Sequence, residues 1–418
     1  MLRRASRKKR TAFAILLTLV VWGAAEAVFF LGLVALERWK GLDYGPEAMP
    51  MLLPRQVVIV GATAAGEDGY MRHDPELGWD LVPGGERPER GYRVNRQGIR
   101  ADREVAPRPK PGVVRVAVFG DSFAHGSDVA NGDTWADRLD ASHPRLEVLN
   151  FGVPGYGTDQ AYLRFRRHAA DFAPHVVLLG VMSDNPQRNL STFRPFFERR
   201  SGLPFGKPRF AVDGGGGLTL RPNPLPRRED YQALLDDPPA VLPRVGRHDF
   251  FFQGSHARPP LDVLPSVRFF HVVTHARYRQ PQLFRGVYDP KGEAFLVTMG
   301  ILEAFHREAV AGGMLPAVVF LPHGRDLRAS RGGGWPIYGS LLAACGEAGI
   351  RCLDAGRAFA EVPEEVDSRR LIRGHYTPEG NAVVGDWLAA ELAAAGWATP
   401  EGVAAARAAR TASEPTTR

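Results

Sequence analysis

Five short apolar runs constrain the fold most. Val114-Arg115-Val116-Ala117-Val118-Phe119 ends on Gly120, and Leu146-Glu147-Val148-Leu149 follows. Val176-Val177-Leu178-Leu179 ends on Gly180, Ala317-Val318-Val319-Phe320-Leu321 ends on Pro322, and Ile350-Arg351-Cys352-Leu353 is the last. Helical patterns lie between several of them, at 158–170, 293–311 and 338–348. Apolar strands alternating with helices predict an α/β fold, in which a parallel sheet is covered on both faces. Sites in such sheets form at the carboxyl ends of the strands.

The chain has 418 residues, and 44% hydrophobic composition is ordinary for a globular protein. Its formal net charge is +7, but Arg3, Arg4, Arg7, Lys8, Lys9 and Arg10 supply six of those charges. The remainder is close to neutral and shows no basic stripe interleaved with aromatics, so nucleic acid is not an expected partner. Cys345 and Cys352 are the only cysteines, which excludes a disulfide framework and a cysteine-rich zinc site. They could pair in an oxidising compartment or be two small buried residues.

Residues 12–36 form an almost unbroken apolar run. As a helix it is roughly 37 Å long, enough to span a bilayer with some tilt. The basic cluster of residues 1–11 would stay cytoplasmic, placing the rest of the chain in the periplasm or outside the cell. Glu26 interrupts the run and costs about 2.5–3.5 kcal/mol at the bilayer centre. The rival reading is a cleaved signal peptide with Ala25-Glu26-Ala27 at its processing site. The run continues through Val28-Phe29-Phe30-Leu31, which favours a retained anchor in the inner membrane. Residues 37–112 are rich in Pro, Gly and Arg and read as a linker and cap, with the main domain at 113–400 and a frayed tail at 401–418. A Pro-, Arg- and Phe-rich insertion at about 191–290 interrupts the main domain and holds one predicted hairpin around Asp213-Gly214-Gly215-Gly216-Gly217.

Four motifs carry candidate chemistry. Gly120-Asp121-Ser122 closes the first strand, where a sharp turn into a helix aims N–H groups at developing negative charge. No Gly-x-Ser-x-Gly elbow exists to support a lipase-type reading. Asn150-Phe151-Gly152-Val153-Pro154-Gly155-Tyr156-Gly157 follows the second strand, either as a plain turn or as a donor of a glycine N–H to a carbonyl oxygen. Gly180-Val181-Met182-Ser183-Asp184-Asn185 follows the third, where an amide could serve an oxyanion or cap a helix. Gly374-His375-Tyr376-Thr377-Pro378 precedes a final amphipathic helix, and His375 is either a base or an exposed loop histidine.

In this order the motifs resemble the SGNH (GDSL-type) hydrolase superfamily. The resemblance implies a flavodoxin-like three-layer α/β/α fold with about five strands. It implies Ser122 as nucleophile, His375 as general base, and Ser122, Gly155 and Asn185 as oxyanion donors, with no metal or other cofactor. Asp121 and Asp184 become candidate substrate-facing carboxylates. His73-Asp74-Pro75-Glu76-Leu77-Gly78-Trp79 and Asn95-Arg96-Gln97-Gly98-Ile99-Arg100 resemble the pre-domain of exported members. The family's acid, two or three residues before the histidine, is replaced here by Arg373 and Ile372. A backbone carbonyl or a distant acid must then orient His375, and Asp367 is the nearest candidate. The implied activity is that of a serine esterase on an acylated envelope or extracellular glycan, with a polysaccharide O-acyltransferase or a silent glycan-binding or assembly protein as alternatives.

Other constellations are weaker. His271 and His275 share a helical spacing but lack a Glu or third ligand. Phe193, Phe196, Phe197, Phe250, Phe251, Phe252, Phe269 and Phe270 of the insertion could stack on sugars or build a local core.

Overall fold

The computed structural model describes residues 7–40, 52–198, 200–252, 261, 263–274, 286–331 and 336–413. His275 lies outside them. The chain divides into two compact units, one of residues 1–51 with 252–286 and one of residues 52–251 with 287–418.

In the first unit, helix α1 (Arg7–Lys40) contains one continuous stretch, Lys9–Leu36, long and apolar enough to cross a membrane. The second unit is built on the expected parallel sheet. Its strands are β1 (Val114–Phe119), β2 (Leu146–Asn150), β3 (Val176–Met182), β4 (Leu315–Leu321) and β5 (Cys352–Asp354). The spatial order is β2-β1-β3-β4-β5, every neighbouring pair parallel. That is the flavodoxin-like order, whose direction of winding reverses between β1 and β3. The reversal opens a crevice at the carboxyl ends of those two strands, where Ser122 and Asn185 follow.

Alternate strand residues feed opposite faces. Val114, Val116, Val118, Val176, Leu178, Ala317 and Val319 pack with helices α2 (Trp135–Ala141) and α5 (Pro378–Ala394). On the other face Phe119 stacks on Phe151 and meets Phe165 of α3 (Thr158–Phe172), which meets Phe305 of α4 (Glu293–Ala311).

The stretch read as linker and cap has regular structure among its described residues from 52 onward. It forms a helix, Pro54–Ala65, and two hairpins, Met71–Asp74 with Gly78–Leu81 and Glu86–Arg87 with Tyr92–Arg93. Trp79 is fully buried, and its indole N–H donates to the Pro154 carbonyl. The insertion contains the hairpin Arg209–Val212 with Leu218–Arg221, as its glycine run predicts. Phe193 and Phe196 are buried, so these insertion aromatics form local core, whereas Phe250 is exposed. The carboxyl tail does not fray at Glu401. Pro400–Ser413 is a helix whose Val403 enters the core and whose Arg410 donates to the Met314 carbonyl, in keeping with the high helix propensity of its alanines. Cys345 and Cys352 are free thiols, the former buried.

Candidate active site

Ser122 opens a one-turn helix, Ser122–His125, directly after β1, Gly120 and Asp121. Gly120 lacks room for a side chain, since a Cβ there would lie 2.6 Å from the Ala124 Cβ. Asn150 donates to the Ala124 carbonyl at 2.9 Å, and Gly152 packs so closely that a Cβ would lie 2.2 Å from the His125 nitrogen. The first two residues of the Asn-x-Gly-x-x-Gly motif therefore hold the turn that presents Ser122.

His375 comes from the far end of the chain. It lies in a two-residue strand paired with Ile372–Arg373, and Thr377 caps the following α5 by accepting from the Gly380 N–H. Asn381 of α5 accepts from the Trp135 N–H and donates to the Tyr376 carbonyl, tying the histidine's segment to α2. The imidazole Nε2 is 2.9 Å from Ser122 Oγ. Its Nδ1 is 2.7 Å from Asp128 Oδ2. Serine, imidazole and carboxylate thus form one hydrogen-bonded chain.

The carboxylate bonded to His375 is that of Asp128, whereas Asp367 is bonded elsewhere. Asp367 caps the short helix Ser368–Leu371, where its carboxylate accepts from the Arg369 N–H. Asp128 lies six residues after Ser122, on the loop leaving the short helix that Ser122 opens. Its φ of 73° is left-handed, which aspartate tolerates better than most residues. The only sequence signal for it is an acid shortly after Gly120-Asp121-Ser122, in a turn opened by Gly126.

The cap builds this loop. Arg100 donates to the carbonyls of Gly126 and Val129, on both sides of Asp128, and also to that of His125. Its guanidinium lies 4.4 Å from the centre of the Tyr92 ring. The Tyr92 hydroxyl accepts from the Asp128 N–H at 2.6 Å, and Arg90 donates to Asp128 Oδ1 at 2.6 Å. Behind the loop, His125 is fully buried between Arg100 and Tyr70. Arg100 can only donate, so His125 Nδ1 accepts and Nε2 donates to the Tyr70 oxygen. Burial, reinforced by the Arg100 charge, pushes the His125 pKa well down, while burial raises Tyr70 to about 12. Both stay neutral, and Arg100 is the fixed charge of the cluster. Removing the Tyr92 hydroxyl leaves the ring under Arg100 but frees the Asp128 backbone. Tyr92→Phe is expected to lower kcat about tenfold with KM nearly unchanged, because small displacements of a catalytic group are costly. Parallel thermal melts check that the fold is retained.

The oxyanion candidates divide. Gly155 has φ +84°, and a Cβ there would collide with Leu203 at 2.2 Å. Its carbonyl accepts from Arg194, leaving its N–H and that of Ser122 without a protein acceptor among the described residues. Asn185 is committed elsewhere. Its oxygen accepts from the Met182 N–H, and its NH2 donates to Asp121 Oδ2 at 3.0 Å and the Tyr156 carbonyl at 3.3 Å. For Asn185 to serve an oxyanion, it must exchange one of those contacts. Arg188 donates to the same two oxygens. These side chains bring the Gly155-Tyr156 loop beside the turn that holds Ser122.

Asp121 is not substrate-facing. It is 1% exposed, with Oδ1 accepting from the Phe123 N–H and Oδ2 from Asn185 and Arg188. Asp184 is half-buried and paired with Arg325, which follows β4. His323, two residues beyond β4, belongs to none of the four sequence motifs. It lies 6.0 Å from the Phe123 ring, and His375 lies 5.2 Å from the same ring. Burial lowers the His323 pKa. No cluster of three or more metal-binding side chains occurs among the described residues.

Solved structures to which the chain is similar include a lipolytic protein of the G-D-S-L family from Veillonella parvula. It is 12% identical, covering 67% of this chain and 98% of that one with a TM-score of 0.30. An alpha/beta hydrolase enzyme from the Lake Arreo metagenome is 13% identical, covering 68% and 95%, with a TM-score of 0.32. No family model and no curated protein matches the chain.

Proposed function

We propose that the protein is a membrane-anchored serine hydrolase acting on acyl esters of an envelope or extracellular glycan, with its catalytic unit outside the cytoplasm. The hydrogen-bonded chain Ser122–His375–Asp128 carries this reading. His375 takes the Ser122 proton as Oγ attacks the ester carbonyl. The Ser122 and Gly155 N–H groups stabilise the tetrahedral oxyanion. The C–O bond to the alcohol then breaks, and His375 returns the proton to the departing oxygen. Water, activated by the same imidazole, releases the acid from acyl-Ser122. Asp128 holds Nδ1–H so that Nε2 faces the serine.

A catalytically silent role drew its support from the missing acid beside His375, and Asp128 removes that support. Location outside the cytoplasm, favoured by the basic cluster of residues 1–11 ahead of the apolar run, supports a glycan substrate. Esterase and O-acyltransferase share every step up to acyl-Ser122. Purified full-length protein in detergent, given a small acetyl ester, is expected to release acetate at the same rate with and without an acetyl-accepting oligosaccharide. Acetate release that falls while the oligosaccharide gains acetyl groups would make the protein a transferase.

A further inference from the structure

Glu26 is the residue that least suits α1 as a membrane span, and the first unit supplies its partner. The helix Pro265–Thr274 of the insertion lies along α1. Its Ser266 donates to Glu26 twice, from the backbone N–H at 2.9 Å and from the hydroxyl at 2.6 Å. Further along, the Phe29 ring lies 5.4 Å from Phe269 and 5.5 Å from Phe270. Gly32 fits beneath Phe269, whose ring would be 2.9 Å from an added Cβ. Successive contacts advance together along both helices, so the two run in the same direction.

These contacts set the depth of the insertion helix. The apolar span is Lys9–Leu36, 28 residues, and Glu26 lies ten residues inside its carboxyl end. Ten helical residues rise roughly 15 Å, about half of a hydrocarbon core about 30 Å thick. A helix whose first turn touches Glu26 therefore starts well below the membrane surface if α1 crosses the bilayer. A helix that begins in hydrocarbon has amino-terminal N–H groups with no water to satisfy them. The Glu26 carboxylate answers that need, and the positive end of the helix dipole answers the charge of Glu26. The exposed residues match. Leu261 and Val263, in the turn before the helix, are 67% and 76% exposed, and Phe270 is 60% exposed. Arg268 is instead buried, its guanidinium folded back toward the Val263 carbonyl at 3.4 Å.

We propose that Leu261, Val263 and the helix Pro265–Thr274 belong to a re-entrant element embedded in the outer half of the bilayer, clamped to α1 by Glu26 and facing lipid acyl chains with Leu261, Val263 and Phe270. This rests on α1 being a retained membrane span. The same contacts argue for retention, because a cleaved leader would leave the helix without its carboxylate.

The test uses the unmodified full chain, reconstituted in phosphatidylcholine–phosphatidylglycerol vesicles that contain phosphatidylcholine with a diazirine near the end of its acyl chain. After photolysis, adducts are mapped by mass spectrometry. Adducts both within Lys9–Leu36 and within 261–274 are expected. Adducts in α1 alone would overturn the re-entrant element while leaving the anchor intact. Adducts in neither would overturn the anchor and this proposal with it, and adducts in 261–274 alone would overturn the pairing. Glu26→Ala is expected to reduce adducts in 261–274 at least fivefold with those in α1 unchanged, and Glu26→Gln, which keeps an accepting oxygen, to reduce them less. Equal adducts in the wild type and Glu26→Ala would overturn the clamp.

Discussion

Ser122→Ala is expected to abolish labelling by a fluorophosphonate probe and to lower hydrolysis of a small acetyl ester by about 10⁴–10⁶-fold, the range found when a serine nucleophile is removed. The reason is local. Ser122 Oγ is the only hydroxyl 2.9 Å from the His375 Nε2 among the described residues, so no neighbour can take its place. Alanine fits the site, because Ser122 is a helical position and its Oγ bonds only to the histidine among the described residues. The melting temperature should therefore change little. Labelling that persists in the variant would place the nucleophile elsewhere, and an unlabelled wild type would remove the case for an acyl-enzyme.

What the sequence discloses follows from how far apart the interacting residues lie. β1 to β5 were legible because each is a short apolar run closed by a turn or breaker, and that pattern is local. Their order in the sheet was legible only through the family resemblance, since pairing depends on contacts between distant segments. Ser122 was legible for the same local reason, standing at the end of a buried strand. Asp128 was not. Its side chain reaches His375 across 247 positions, and its usefulness depends on a left-handed turn shaped by Arg100 and Tyr92. Nothing in Gly126-Ser127-Asp128 discloses that. Asp367 looked plausible by proximity in sequence, but an aspartate just before a short helix more commonly caps it. Asn185 as an oxyanion donor and Asp121 as a substrate-facing carboxylate are what the motifs suggest, yet the two side chains bond to each other. Two polar groups at adjacent strand ends satisfy one another when the crevice closes over them.

The acid can be tested against its rival directly. Asp128→Asn is expected to lower kcat by about 10³–10⁴-fold at neutral pH. Asparagine tolerates the left-handed φ of 73° and keeps the N–H that donates to Tyr92, so the loop should hold its shape. What changes is the proton on the imidazole. The carboxylate can only accept, which keeps the hydrogen on Nδ1 and leaves Nε2 free to take the Ser122 proton. An amide can turn its NH2 toward Nδ1, which moves the hydrogen to Nε2 and blocks that transfer. Asp367→Ala should instead leave the rate within about twofold and cost about 1 kcal/mol of stability, the usual effect of losing a helix cap. The two variants therefore separate on different axes, one in turnover at constant melting temperature and one in melting temperature at constant turnover. If Asp367→Ala lost activity and Asp128→Asn kept it, the hydrogen bond between Asp128 and His375 would have no catalytic role. The arginine beside the acid sharpens the expectation. Arg90 already neutralises Asp128 Oδ1, and the Asp128 side chain is 42% exposed. Its worth to the imidazole thus lies more in fixing the tautomer and ring angle than in raw charge. Asp128→Glu keeps the charge but lengthens the reach, and it should recover less than a tenth of the wild-type rate.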